Sequence, residues 1–155
     1  MNPIETFTGR DGTRLLYLSD ADFNAQVEYF LRDTPKEEWP RYLHDTPQKI
    51  FKITGIGYYP NGMALNETIY IRWKWRGDRE LLAHEYGHIL GLDHVSGPSI
   101  MNAVSQMRFT DPNNLEEKAE ANFPEAWRKH IVPSETYRNI AMGGLALMAT
   151  WAWMV

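Results

Sequence analysis

Residues 84 to 94 read HEYGHILGLDH. The order is a histidine, a glutamate beside it, a histidine four residues on, a glycine three after that, and a third histidine three further. Few arrangements constrain a fold so tightly. Four residues is one helical turn, so His84 and His88 project from one face of a helix, one above the other. Imidazoles so placed can share an ion at about 2.0–2.1 Å from each nitrogen. Glu85 points elsewhere, where it can hydrogen-bond a water on that ion rather than ligate it. Gly91 tolerates a positive φ that a side chain would resist, so the chain can leave the helix sharply and return with His94 as a third ligand. Three histidines with an open fourth position describe a catalytic zinc site. From average composition a bare HExxH falls by chance in well under about 1% of chains this long, and the eleven-residue pattern is rarer by roughly three further orders of magnitude.

The remainder must supply that helix and something to pack it on. The chain has 155 residues, enough for one domain with a buried core. With no cysteine, disulfides and thiolate ligands are excluded, and a metal must be held by His, Asp or Glu. A net charge of -4 and the lack of a basic run argue against a nucleic-acid partner. The start, MNPIETFTGRDGTRLL, does not read as a signal peptide.

Arg14 to Ser19 suits a first strand. Ser19 or Asp20 then caps a helix over residues 21–33, with Phe23, Val27, Phe30 and Leu31 at helical spacing. Lys49 to Pro60 alternates and reads as a strand bending at Gly55 into another, followed by a turn at Pro60, Asn61 and Gly62. From Glu67 to Trp75 the alternation places Ile69, Ile71, Trp73 and Trp75 on one face and Tyr70, Arg72 and Lys74 on the other. Asp78 is a good cap for the histidine-bearing helix, whose apolar face includes Leu81, Leu82, Ile89 and Leu90. Helices follow over 110–123, capped by Thr110 or Asp111, and over 124–131. The layout is α+β: a mixed sheet, an active-site helix, then C-terminal helices. His44 and His130 read as surface residues, and the carboxylates of LEEKAE as a solvated helix face.

HEYGHILGLDH resembles the metzincin signature at every fixed position, with Met101 where that family has its Met-turn. The wording HILGLDH is most like the matrixin, or matrix-metalloprotease-like, branch. Val95 stands where matrixins usually have Ser or Thr, and Asn102 where they often have Tyr. The resemblance implies a small zincin fold and a zinc endopeptidase. One zinc ion would sit on His84, His88 and His94, with Glu85 as general base toward a zinc-bound water. Met101 would form an apolar floor under the histidines, or simply be a core methionine. GIGYYPNG is similar to the family's edge strand, so Gly55, Ile56, Gly57, Tyr58 and Tyr59 are the candidate substrate-binding residues, an interior strand being the alternative. Residues 95–107 would wall the pocket. The partner is then a peptide or protein substrate; the contrasting reading is a non-catalytic zinc-binding interaction module on the same fold.

Residues 139–155, NIAMGGLALMATWAWMV, carry no charge. At 1.5 Å per residue a helix there reaches about 25 Å, the low end for a membrane span. Arg128, Lys129 and Arg138 precede it, so one expectation is a membrane anchor holding a domain of residues 1–132 on the cytoplasmic face. The other is a terminal helix packed on the domain or a partner, with the protein in the cytoplasm. The sequence does not decide the oligomeric state.

Overall fold

The computed structural model describes residues 1–44, 60–103 and 107–131. They form an α+β arrangement around one four-stranded mixed sheet. The strands are β1 (Glu5–Thr8), β2 (Arg14–Leu18), β3 (Gly62–Leu65) and β4 (Thr68–Arg72), in the order β1-β2-β4-β3. β1 and β2 are antiparallel, β2 and β4 parallel with Leu15 opposite Ile69, and β3 and β4 antiparallel with Ala64 opposite Ile69. Neither β1 nor β3 was signalled by the sequence, since each is only four residues long and lacks a full alternating pattern.

Leu15, Leu16, Tyr17 and Leu18 are all buried. Successive strand residues face opposite ways, so β2 is covered on both faces, as a strand with a parallel partner usually is. α1 (Asp20–Asp33) packs against β2 and β4. It is capped as expected: Ser19 Oγ accepts from the Asp22 amide at 3.2 Å. Phe23 and Val27 are buried beneath it.

β4 is shorter than the alternation suggested. Trp73 to Trp75 wind into a 3₁₀ turn, closed by the Arg76 amide on Trp73 O and the Asp78 amide on Trp75 O. The chain must reverse there to enter the next helix, and Arg76 stacks 4.2 Å above the Trp73 ring. Arg72, expected on a polar face, is buried, because Pro60 O, Asp20 and Asn24 accept its donors at 3.1, 3.1 and 2.5 Å. The expected turn at Pro60 to Gly62 ends sooner, since Gly62 already belongs to β3.

After the four-residue α2 (Arg41–His44), the central helix is α3 (Arg79–Ile89), lying against β3, β4 and α4 (Leu115–Asn122). Leu81 and Leu82 are buried, but Leu90 is exposed because the helix has ended there. α4 begins five residues later than residue 110. Asp111 still caps it from a distance, its carboxylate accepting from Leu115 N at 2.8 Å and Glu116 N at 3.0 Å across the Pro112–Asn113 turn. Glu116 is not simply solvated, for it pairs with Arg79 at 2.8 Å, whereas Glu117 and Glu120 are exposed.

α5 (Pro124–His130) closes the described chain. Its His130 is not a surface residue: only 8% of its side chain is exposed. It bonds Glu5 and meets Phe7, Tyr17 and Trp73 edge-on, because the last turn of α5 lies over β1 and β2. No helix among the described residues is long and apolar enough to cross a membrane. Residues 139–155, the His44 side chain and the expected strand at Gly55 to Tyr59 lie outside the described residues.

Candidate metal centre

α3 owes its start to Asp78, whose carboxylate accepts from the Leu81 amide at 3.1 Å. Its end is a left-handed cap. Gly91 takes φ 93°, its amide donates to His88 O at 3.0 Å, and the Leu92 amide donates to Gly87 O at 2.9 Å. That cap reverses the chain within two residues of the helix and carries His94 back toward His84 and His88.

The three histidines form a group able to hold a metal ion. His88 Nε2 lies 3.1 Å from His84 Nε2 and 3.2 Å from His94 Nε2. The opposite ring nitrogens explain what those contacts are. His84 Nδ1 is 2.7 Å from Ile100 O, and His88 Nδ1 is 2.8 Å from Leu92 O. A carbonyl can only accept, so each Nδ1 must carry the proton. Burial, together with the neighbouring histidines, holds His84 well below the ordinary imidazole pKa and His88 down at about 3, so both rings are neutral. Their Nε2 atoms are therefore bare lone pairs facing each other. That is repulsive as it stands and becomes favourable only around a cation. Three imidazoles without thiolate or carboxylate are a donor set that suits zinc among the common divalent ions.

Beneath the histidines runs a turn at Ser99 to Asn102, closed by the Asn102 amide on Ser99 O. Ile100 supplies the carbonyl for His84, and Met101 O accepts from Val95 N, the residue after His94. Both ends of the ligand set are tied to this one turn. Met101 is 2% exposed and packs on Gly87, where an added Cβ would meet its Sδ at 2.5 Å and Leu115 Cδ1 at 3.0 Å. The small residue in HEYGH thus makes room for the methionine.

Glu85 is fully buried, and among the described residues neither carboxylate oxygen has a hydrogen-bond partner. Burial raises its pKa well above the carboxylate range, opposed by the Arg108 guanidinium. A carboxylate left so exposed to its own desolvation is costly, and functional sites are where such groups persist. β3 passes beside it: a Cβ on Gly62 would lie 3.2 Å from Glu85 Cγ and 3.3 Å from Oε1. Among the described residues, then, the strand at the edge of the sheet next to Glu85 is Gly62–Leu65.

Two residues of the site gave no sequence signal. Arg108 is buried, with no acceptor for Nε or Nη2 among the described residues, and burial lowers its pKa to about 10 against the fields of Asp78, Glu80 and Glu85. It reaches the site because Ser99 and Ile100 donate to Met107 O and Thr110 O, both at 2.7 Å. Tyr42, from α2, stacks on the His88 ring at 3.6 Å between centroids and 11° between planes. Nothing in PRYLHD marks either an aromatic contact or a route to the histidines.

No protein-family model, curated protein or solved structure matches the chain.

Proposed function

We propose that this chain is a zinc-dependent endopeptidase of metzincin type, with His84, His88 and His94 holding the ion and Glu85 as general base. One observation carries the reading: two carbonyl-anchored imidazoles turn bare Nε2 atoms toward each other, one residue from a buried carboxylate with both oxygens free of partners among the described residues. A purely structural zinc site is usually closed by a fourth protein ligand, and a binding module has no use for Glu85. Met101 under the site and Gly91 at the helix end support the same reading.

When bound, zinc supplies Lewis acidity toward a carbonyl oxygen and lowers the pKa of a water toward neutrality. The rest is done by this chain's own residues. Glu85, beside the three histidines and with both carboxylate oxygens free of partners among the described residues, takes a proton from the attacking water. The same carboxyl group then delivers the proton to the leaving amine. Ile100 O and Leu92 O keep His84 and His88 in one tautomer and orientation. Among the described residues β3 is the outer strand beside Glu85, and an extended peptide can add along it as a further strand.

The test is cleavage of casein by the zinc-loaded full chain, followed by mass spectrometry beside Glu85→Gln. Fragments that vanish with the variant and with chelator support the peptidase. A folded protein that binds one zinc and cleaves nothing refutes it in favour of a binding module.

A further inference from the structure

In an antiparallel ladder, alternate residues direct N–H and C=O to the partner strand, while those between direct theirs outward. Ala64 is of the second kind, and both of its outward groups are taken. The Tyr42 hydroxyl donates to Ala64 O and accepts from Ala64 N at 3.1 Å. The ring of the same residue lies flat on His88 and edge-on to His94, at 5.8 Å and 72°. Tyr42 therefore spans the gap from the sheet edge to the metal ligands.

We propose that Tyr42 is a built-in competitor for the substrate: its hydroxyl occupies the backbone groups of Ala64 with which an extended peptide pairs, so that peptide binding requires Tyr42 to swing aside. This rests on reading β3 as the peptide-pairing strand. α2 itself cannot lift away cheaply, because Leu43 beside Tyr42 is fully buried. The movement is a rotation of the Tyr42 side chain. A cavity of about 390 Å³ adjoins it, bordered by Tyr42, Ala64, Asn66, His88, Leu92 and Asp93, and gives the ring somewhere to go. Across that cavity Arg41 and Asp93 pair at 3.3 Å with the Arg41 side chain 87% exposed, a contact too solvated to resist the rotation.

The experiment uses the zinc-loaded full chain and two probes, acetohydroxamate and a tripeptide hydroxamate. Both chelate zinc, and only the second has a backbone to lay along β3. Removing the hydroxyl frees two hydrogen-bonding groups of Ala64 while leaving the ring in place. Tyr42→Phe is expected to bind the tripeptide hydroxamate roughly tenfold tighter, the scale of one to two hydrogen bonds no longer displaced. Acetohydroxamate should bind both proteins equally. Tyr42→Ala, which also clears the ring, should bind the tripeptide probe at least as tightly as Tyr42→Phe. Unchanged or weaker tripeptide binding in both variants overturns the proposal, and so does an equal shift for both probes, which would place the effect on His88 instead. Failure of casein cleavage would sink the peptidase reading without altering the difference between the probes.

Discussion

Gly87→Ala places two effects of similar size in opposition, and the packing under the histidines decides the sign. In an exposed helix the change stabilises by about 1 kcal/mol, through lower backbone entropy in the unfolded chain. Here the new methyl would sit 2.5 Å from Met101 Sδ, 3.1 Å from Met101 Cε and 3.0 Å from Leu115 Cδ1. Ordinary contacts are about 3.5–4.0 Å, so Met101 must retreat by roughly 1 Å while Leu115 blocks the other side. Overpacking of this kind costs about 1–3 kcal/mol, which outweighs the helix gain and leaves a net loss near 1 kcal/mol. For a chain this long that lowers Tm by about 2–4 °C. Met101 also shares a turn with Ile100, whose carbonyl orients His84, so zinc affinity should fall about 10-fold or more. Circular dichroism melts and a competitive zinc titration read the two effects. Combining Gly87→Ala with Met101→Ala provides the strict control, because removing the methionine removes the clash and the pair should be less damaging than the sum. A higher Tm, unchanged zinc affinity and additive double-mutant energies would refute the reasoning.

Gly91→Ala should cost about 1–2 kcal/mol by strain alone, since φ is 93° and the added Cβ meets nothing, and calorimetry should show weaker zinc binding as His94 shifts. Asp78→Ala removes the cap bond to Leu81 and should lower stability to urea by about 1 kcal/mol with little change in zinc affinity. Without metal, acid should destabilise the fold. His88, depressed to about 3, and His84, also depressed, stay neutral when folded but take protons when unfolded below about 6.5. The histidine contribution is then full above pH 6.5 and is lost as pH drops toward 3. Glu85, which holds its proton more tightly in the fold than in the unfolded chain, offsets about half of that loss above pH 4.5, leaving a net fall of about 1.4 kcal/mol per pH unit between pH 6 and 5. A flat urea midpoint between pH 7 and 5 would contradict the neutral rings.

What the sequence made legible was local. Ser19 and Asp78 announce helix starts because an N-cap bond spans only three residues, and Gly91 announces an end because its conformation excludes most side chains. The histidine spacing is likewise one helix and one turn. The parts that were missed depend on distant neighbours. β3 is a strand because β4 holds it, not because GMAL alternates. Arg72 is buried and His130 half-buried because elements 40 or more residues away supply acceptors, Asp20, Asn24 and Glu5. Trp73 and Trp75 keep the strand's alternation but leave the sheet, since the chain has to turn into α3. Tyr42 and Arg108 arrive at the site through α2 and through pairing with Ser99 and Ile100, which no periodicity encodes.

The histidine-bearing helix is fastened on its other side by a bond of very different range. Tyr86 donates to Asp11 at 2.8 Å, and Asp11 in turn exchanges bonds with Asn122, 111 residues away, both at 3.0 Å. The ligands themselves span only eleven residues. Closing a loop costs more entropy as it lengthens, so the local cluster can assemble long before Asp11 and Asn122 meet. An ion present during folding would find its three histidines first. It would hold the turn through Gly91 in its final shape while the sheet was still forming, and the last thing to set would be the clasp behind Tyr86.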